Sequence, residues 1–327
     1  MKLDNQVARL KAEAIGANKV GDYQKATKLY EAIINLQSDF IKGGSQDLVE
    51  SLNSLGILYE KQYDLESAEA AFRKSLSISE SNFGQSDPEV AATLNNLAVL
   101  YEKSGRLEEA AELYHRSLAI RESTFGSTHP EVAITLNNMA ALYEKFGRLE
   151  EAADLYHKSL AILESTFGSN HPEVATTLNN MAALFEKFGR LEEAADLYHK
   201  SLAIRESTFG SNHPEVATTL NNMAALYEKF GRLEEAAELY YRSLGITERV
   251  LGREHPQSAI LFNNLAGLMA KKGDTSKALE FYDMGLSVMK RVFGENDKNT
   301  LIVQANRNSL AHETPNKKIQ RMQKTRR

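Results

Sequence analysis

The chain has 327 residues, a hydrophobic fraction of 42%, a charged fraction of 25% and a formal net charge of −5. This composition is typical of a soluble folded protein, and the acidic balance excludes a general attraction for nucleic acid or anionic membranes. Because there is no cysteine, disulfides, thiolate zinc sites and a cysteine nucleophile are excluded. The sequence also lacks an apolar run of signal-peptide or membrane-spanning length, so we expect a cytoplasmic protein.

A 42-residue repeat organises the sequence over residues 46–295. It is visible in two adjacent asparagines, in a proline before them and in a glycine after them. The asparagines are Asn95, Asn96, Asn137, Asn138, Asn179, Asn180, Asn221, Asn222, Asn263 and Asn264, with Asn53-Ser54 in an earlier copy. The prolines are Pro88, Pro130, Pro172, Pro214 and Pro256, and the glycines are Gly105, Gly147, Gly189 and Gly231. A fixed period of this length predicts a repeat protein.

The chain opens with a diverged copy of the repeat. Gly21 lies two periods before Gly105, so residues 1–45 are predicted to form an N-terminal capping hairpin. The first clear copy begins near Gln46, where the repeat array over residues 46–295 starts.

Each unit contains two predicted helices separated by a glycine. In PEVAATLNNLAVLYEKSG, proline and an acid occupy the first turn, where both suit a helix start, and Gly105 provides a C-terminal stop. In RLEEAAELYHRSLAIRESTFG the apolar residues recur at helical spacing. They are Leu107, Ala110, Ala111, Tyr114 and Leu118. A single hairpin cannot bury its apolar stripe alone, so the hairpins must stack into an elongated solenoid.

The C-terminal elements also follow the period. Asp297 lies one period after His255, and residues 296–314 are predicted to form a C-terminal capping helix. Residues 315–327 contain six basic residues and no acid, and they are predicted to be a disordered tail. Such a tail could attract an acidic surface such as a microtubule, RNA or anionic lipid, although it lacks the aromatic residues of a single-strand binder.

The residues Leu94, Leu97, Ala98, Tyr101, Gly105, Ala110, Tyr114 and Leu118 resemble the tetratricopeptide repeat pattern. The roughly eight residues beyond that family's usual length of about 34, with the segments HPEVA, LNNMA, LYEK and SLAI, resemble the longer repeat of kinesin light chains and nephrocystin-like proteins. The resemblance implies an all-α fold, a tetratricopeptide-type right-handed superhelical solenoid of six or seven stacked antiparallel helix pairs. It also implies a scaffold or adaptor that binds a protein or peptide.

The asparagine pair predicts a binding groove. On a helical wheel Leu94, Leu97 and Ala98 face the second helix, while Asn95 and Asn96 flank a second face of mostly small residues. The pair is therefore expected to lie outside the core. Because an amide offers both donors and an acceptor, a row of amides can hold the main chain of an extended peptide.

The resemblance implies ligand contact for the second asparagine of each pair. In the tetratricopeptide family the first helices line the concave surface, and an asparagine at this place often holds the ligand backbone. These residues are Asn96, Asn138, Asn180, Asn222 and Asn264, and the preceding asparagines are candidates for a smaller contribution. The alternative is that the amides bond between neighbouring hairpins and fix the superhelical twist, with no ligand involved.

A lysine row lies toward one rim of this face. Lys145, Lys187 and Lys229 are candidates to contact a carboxylate of a ligand, and Lys103 continues the row. Each lysine follows a glutamate, so a solvated helix face is the alternative. The glutamates also argue against specificity for an acidic peptide.

Recurring histidines are predicted to be helix caps. His129, His171, His213 and His255 precede the prolines, where Asp87 and Asp297 stand in other copies. Successive hairpins stack about 10 Å apart, whereas metal ligands lie about 2 Å from the ion. Histidines from successive repeats, including His115, His157 and His199, therefore cannot share a metal.

No enzymatic signature is present in the sequence. It contains no phosphate loop, dinucleotide fingerprint or nucleophile elbow, and Glu108-Glu109 suits the first turn of a helix better than a catalytic pair. We therefore expect no catalysis, no cofactor, no metal and no small-molecule substrate. The competing class is a structural or self-associating solenoid.

Overall fold

The computed structural model describes the backbone of residues 2–40 and 46–324 and the side chains of residues 5–38 and 46–311. Within those ranges it contains fifteen helices and no β-strand, which confirms the predicted all-α class. The helices are α1 (Lys2–Lys19), α2 (Tyr23–Phe40), α3 (Gln46–Lys61), α4 (Leu65–Phe83), α5 (Pro88–Lys103), α6 (Leu107–Phe125), α7 (Pro130–Lys145), α8 (Leu149–Phe167), α9 (Pro172–Lys187), α10 (Leu191–Phe209), α11 (Pro214–Lys229), α12 (Leu233–Val250), α13 (Pro256–Lys271), α14 (Thr275–Phe293) and α15 (Lys298–Lys324). None of these helices carries an apolar stretch sufficient to cross a lipid bilayer.

The helices fall into two compact units. Unit 1 spans Met1–Phe209 and contains α1 to α10, and unit 2 spans Gly210–Arg327 and contains α11 to α15. Consecutive helices pair as hairpins, from α1 with α2 to α13 with α14, and within a unit the second helix of one hairpin packs on the first helix of the next. The seven hairpins agree with the predicted number. Residues 41–45 of the predicted capping hairpin lie outside the described residues.

The recurring histidines cap the first helices, as predicted. His129 Nδ1 accepts a hydrogen bond from the backbone N–H of Glu131 at 3.2 Å, and the Asp87 carboxylate accepts one from the N–H of Glu89 at 2.8 Å. The same cap is formed by His171, His213 and His255. At the other end of the helix, Gly147 has a φ of 75°, a left-handed conformation that glycine adopts without strain. Local sequence therefore sets both ends of the helix.

The two apolar stripes meet inside each hairpin. Leu94, Leu97 and Ala98, predicted to face the second helix, are all buried, and so are Tyr101 of α5 and Tyr114 of α6. Removing one such large side chain from water contributes about 1.5–3 kcal/mol. Burial of this stripe, within the hairpin and against neighbouring hairpins, thus stabilises each repeat.

A buried serine joins the two helices of a hairpin. The sequence analysis did not identify this residue. Ser117 Oγ donates to the backbone carbonyl of Ala91 at 2.7 Å, and Ser159 Oγ donates to that of Ala133 at the same distance. Ser201 and Ser243 repeat this bond. The small side chain lets the second helix approach the backbone of the first.

The last helix is longer than the predicted segment 296–314. Asp297 caps it by accepting a hydrogen bond from the N–H of Asn299 at 2.9 Å, and the helix continues past Pro315 to Lys324. The sequence places the end near Pro315 because proline disfavours helical geometry in the residue before it. Residues 325–327 of the predicted tail lie outside the described residues.

Candidate functional site

One face of each first helix stays open. In α5 the open positions are Glu89, Ala92, Asn96, Val99 and Lys103, which recur every three or four residues and are partly or fully exposed. The same positions are Glu131, Ile134, Asn138, Ala141 and Lys145 in α7, Glu173, Thr176, Asn180, Ala183 and Lys187 in α9, and Glu215, Thr218, Asn222, Ala225 and Lys229 in α11. We call this row the open stripe. The second asparagine lies at its centre, with a small or aliphatic side chain one turn away on each side.

The first asparagine of a pair lies in the core of unit 1. Asn95 is 4% exposed, and Asn137 and Asn179 are each 6% exposed. The expectation that both asparagines stay outside the core is therefore wrong for these three residues. A helical wheel treats one helix alone, whereas the first helices of neighbouring hairpins contact each other and cover this side. In unit 2, Asn221 and Asn263 are partly exposed.

Amide side chains of successive first helices bond to one another in unit 1. Asn138 Nδ2 donates to Asn95 Oδ1 at 3.2 Å, and Asn180 Nδ2 donates to Asn137 Oδ1 at 3.4 Å. Within one pair, Asn137 Nδ2 donates to Asn138 Oδ1 at 3.4 Å. We call this chain of bonds the amide ladder. The amide ladder corresponds to the alternative stated in the sequence analysis, in which the amides bond between neighbouring hairpins.

Unit 2 contains the same kind of ladder. Asn264 Nδ2 donates to Asn221 Oδ1 at 2.8 Å, and Asn221 Nδ2 donates to Asn222 Oδ1 at 3.3 Å. The buried Asn263 Oδ1 accepts no hydrogen bond from the described residues. The ladder therefore recurs, and its end leaves an acceptor without a partner.

The ladder uses only part of the Asn138 amide. A side-chain amide carries two N–H donors and two lone pairs on its oxygen. Asn138 uses one N–H toward Asn95 and one lone pair toward Asn137, and the residue is partly exposed on the open stripe. The remaining donor and lone pair can therefore meet a ligand while the ladder stays intact.

The lysine row pairs with glutamates of the preceding repeat. Lys145 Nζ lies 2.9 Å from Glu102 Oε1, and Lys187 Nζ lies 2.8 Å from Glu144 Oε2. The glutamate side chains are only 12% and 8% exposed, and Lys229 is not free either. Lys145 and Lys187 therefore connect hairpins, and their positive charges are compensated by these glutamates.

A buried tyrosine donates a hydrogen bond to the same glutamate. Tyr156 Oη donates to Glu144 Oε1 at 2.7 Å, and in unit 2 Tyr240 Oη donates to Glu228 Oε1 at 2.8 Å, where Lys271 Nζ lies 2.7 Å from Oε2. Burial, with the Glu144 carboxylate beside it, raises the pKa of the Tyr156 phenol well above its usual range. The phenol thus remains a donor at neutral pH. In these copies of the repeat the glutamate is followed directly by a lysine. The sequence does not show that the glutamate pairs instead with the lysine of the next repeat.

The histidines take part in packing and capping. His171 Nδ1 accepts the N–H of Glu173, and its ring stacks on Phe167 with the ring centroids 4.3 Å apart. Among the described residues, no group of three or more His, Cys, Asp or Glu side chains is placed to hold a metal ion.

The repeat pattern matches a family model described as tetratricopeptide repeat over residues 8–81, 89–165, 137–207, 173–248 and 215–291. The chain belongs to the tetratricopeptide repeat family. Each match contains helix pairs of the kind described above. The match over residues 8–81 includes most of the predicted N-terminal hairpin. No curated protein matches this tetratricopeptide chain significantly.

Solved structures of low sequence identity share the tetratricopeptide fold. BtubC (BKLC) from P. vanneervenii is similar over 77% of this chain and 93% of its own, with 23% identity and a TM-score of 0.50. The Rap conjugation gene regulator of the plasmid pLS20, solved in complex with the Phr* peptide, is similar over 89% of this chain and 75% of its own, with 16% identity and a TM-score of 0.70. A Podosopora anserina putative kinesin light chain with nearly identical TPR-like repeats is similar over 62% of this chain and 95% of its own, with 26% identity and a TM-score of 0.45. Kinesin-light-chain-like proteins are thus among the structural neighbours, and the similarities at this level concern the fold alone.

Proposed function

We propose that this chain is a non-enzymatic scaffold or adaptor that binds an extended peptide segment of a partner protein along the open stripe. The observation that carries the proposal is the second asparagine. It recurs at the centre of the stripe on α5, α7 and α9, and in α7 and α9 part of its amide remains outside the ladder bonds. A main-chain peptide group offers one donor and one acceptor, which such an amide can satisfy.

The spacing of the helices suits an extended main chain. Neighbouring packed helices lie about 10 Å apart, and an extended chain advances about 3.3 Å per residue. Successive asparagines would therefore meet every third residue of the peptide. The stripe of α5, α7 and α9 accommodates a segment of about nine residues, estimated from the same rise per residue.

Charge on the stripe favours an uncharged segment over an acidic one. Lys145 and Lys187 already pair with glutamates, and Glu131 pairs with the buried Arg121 at 2.7 Å. An acidic ligand would have to compete with these internal carboxylates for the lysines. We therefore assign Lys145, Lys187 and Lys229 a smaller contribution than the asparagines.

The family supports a role in protein binding. A protein of the same fold was solved in complex with the Phr* peptide, and this supports a peptide as the ligand that we propose here. The proposal includes two more specific statements: the chain binds cargo as kinesin light chains do, and it is located in the cytoplasm.

Binding by variants of the full chain tests the proposal. A displayed library of random peptides about nine residues long, the length that the stripe spans, is selected on the intact chain. The selected pool is then titrated against Asn96→Ala/Asn138→Ala/Asn180→Ala. Loss of three main-chain contacts should weaken binding at least about a hundredfold.

The matched control is Asn170→Ala, an exposed asparagine in the loop before α9, which should bind like the natural chain. Circular dichroism checks that the triple variant keeps its helices, and single variants replace it if helix is lost. An unchanged affinity of the folded triple variant, or a library from which no peptide is enriched, would overturn the proposal.

A further inference from the structure

Three phenylalanines form an exposed row at the ends of second helices in unit 1. Phe83, Phe125 and Phe167 are the last residues of α4, α6 and α8, and they are 38%, 39% and 44% exposed. We call this row the aromatic edge. It belongs to the second helices, so it is separate from the open stripe of the first helices.

Two rings of the aromatic edge are held in place by the cap of the next first helix. The Phe125 ring stacks on His129 with the ring centroids 4.5 Å apart, and the Phe167 ring stacks on His171 at 4.3 Å. Each histidine is itself fixed because its Nδ1 accepts a backbone N–H. The histidine covers one face of the ring, and the exposed part of the phenylalanine remains available to a partner.

A glutamate lies one turn before each of these two phenylalanines. Glu122 precedes Phe125 by three residues, and Glu164 precedes Phe167 by three residues. Residues at this spacing are neighbours on the surface of a helix. Each repeat thus presents an exposed ring beside an exposed carboxylate.

These two carboxylates are not paired inside the described part of the chain. Glu80, at the same place in the preceding repeat, pairs with Arg116 at 2.7 Å. In the next two repeats Lys158 and Lys200 replace that arginine. The exposed carboxylates there form no ion pair with another described residue. A cation from outside the described chain can therefore reach them.

Elsewhere in each repeat, an aromatic ring and a glutamate together bind an arginine. Arg148 Cζ lies 4.2 Å from the centroid of the Tyr143 ring, and the guanidinium pairs with Glu151. The same arrangement is formed by Arg190, Phe185 and Glu193. The ring attracts the cation through its π face, and the carboxylate adds a charge-assisted hydrogen bond. At two repeats of the aromatic edge, the chain supplies the ring and the carboxylate without the arginine.

The C-terminal segment, residues 315–327, carries cations at a matching interval. Lys318, Arg321, Lys324 and Arg327 recur every third residue, and the segment contains no acid. Three residues of an extended chain advance about 10 Å, which is about the distance between stacked hairpins. The segment begins in α15, where Pro315 weakens the helix because it has no N–H to donate. In an extended form, the segment therefore offers one cation to each repeat.

We propose that the aromatic edge binds the C-terminal segment of a second copy of the chain. One basic side chain of that segment lies over the exposed part of the Phe125 ring and pairs with Glu122. The cation three residues away does the same at Phe167 and Glu164. The contact is heterologous, since the edge of one copy meets the C-terminal segment of another. It uses no residue of the open stripe, and so it goes beyond the proposed function.

Sedimentation velocity of charge-reversed variants tests this inference. The intact chain should associate with rising concentration in about 0.01 M salt and dissociate in about 1 M salt, where screening shortens the Debye length to about 3 Å. The edge variant Glu122→Arg/Glu164→Arg should stay monomeric. The segment variant Arg321→Glu/Lys324→Glu/Arg327→Glu should stay monomeric as well. An equimolar mixture of the two should associate, because the intact segment of the first meets the intact edge of the second.

The contribution of the rings is tested by Phe125→Leu/Phe167→Leu, which keeps an apolar side chain and removes the π face. This variant should weaken association about fivefold or more. The matched control is Glu150→Arg/Glu192→Arg, which makes the same charge change at exposed glutamates in the first turns of α8 and α10. The control should associate like the natural chain.

Circular dichroism checks that every variant keeps its helices, and Glu122→Gln/Glu164→Gln replaces the edge variant if helix is lost. An intact chain that stays monomeric in low salt, or a mixture that stays monomeric, would overturn the inference. Equal effects of the edge variant and its control would also overturn it. The triple asparagine variant described above should self-associate like the natural chain, so a failure of peptide binding and a failure of self-association are separate results.

Discussion

Individual polar residues hold consecutive repeats together. The Glu144 carboxylate accepts a hydrogen bond from Tyr156 of its own hairpin and pairs with Lys187 of the next one. Because the carboxylate is almost fully buried, each partner compensates part of the cost of removing the charge from water. The network therefore acts as a specific connection between repeats.

Replacing Tyr156 by phenylalanine should destabilise the chain. The variant keeps the buried ring and loses one hydrogen bond to a charged acceptor, which is worth about 1.5–3 kcal/mol. Urea unfolding followed by circular dichroism measures the change. Tyr241→Phe is the control, because Tyr241 is 45% exposed and should change the free energy of unfolding by less than about 0.5 kcal/mol. Equal effects of the two substitutions would contradict the assigned role of the Tyr156 hydroxyl.

At the scale of one element, α3 shows how a hairpin adapts to a different residue. Gly56 takes the position that Ala98 takes in α5, and Phe72 takes the position of Tyr114. A Cβ built on Gly56 would lie 2.5 Å from Cε1 of Phe72, a side chain that is 1% exposed. The Phe72 ring thus occupies the space that the Cβ of an alanine at position 56 would need. Packing against this ring, and not helix propensity, explains the glycine.

Gly56→Ala should destabilise the chain by about 1–3 kcal/mol because the buried ring has to shift. Gly267→Ala is the matched control in another first helix, where a Cβ meets nothing within 4 Å. That substitution should stabilise the chain by up to about 1 kcal/mol, the difference in helix propensity. Thermal melts of the two variants measure both effects. A stabilised Gly56→Ala variant would show that Phe72 does not need the space.

At the scale of the whole molecule, the repeats are close to interchangeable. Residues 130–171 and 172–213 differ only at Ile134/Thr176, Tyr143/Phe185 and Leu163/Arg205. In a repeat array, stability is approximately a sum of repeat and nearest-neighbour terms. A complete unit can therefore be removed if each junction keeps the same kinds of partner.

Deleting residues 130–171 joins His129 to Pro172 and should preserve the fold. Asn180 then meets Asn95 as Asn138 does now, and Lys187 meets Glu102 as Lys145 does now. We expect unchanged helix content per residue and a cooperative melt at a temperature a few degrees lower, because one nearest-neighbour interface is lost. Circular dichroism measures both quantities.

Deleting residues 130–148 is the control, because it removes α7 and leaves α8 without its hairpin partner. This variant should lose helix content and cooperative melting. Equal behaviour of the two deletions would show that the 42-residue unit is not the unit of folding.

The sequence by itself determined the repeat, the helix ends and the hairpin pairing. His129, Pro130 and Gly147 act through local geometry at a cap, a first turn and a left-handed stop, so the pattern of one unit suffices to predict them. The central position of Asn96 on the open face also follows from helical periodicity.

Only the tertiary structure decided how the polar side chains are used. The burial of Asn95 and the pairing of Lys145 with Glu102 both depend on contacts between one helix and the next hairpin. Partners such as Asn138 and Asn95 are 43 residues apart in the sequence, and a helical wheel contains no information about the neighbour that covers it. The physical reason is that each amide is shared between two stacked helices, so its orientation is set by their packing.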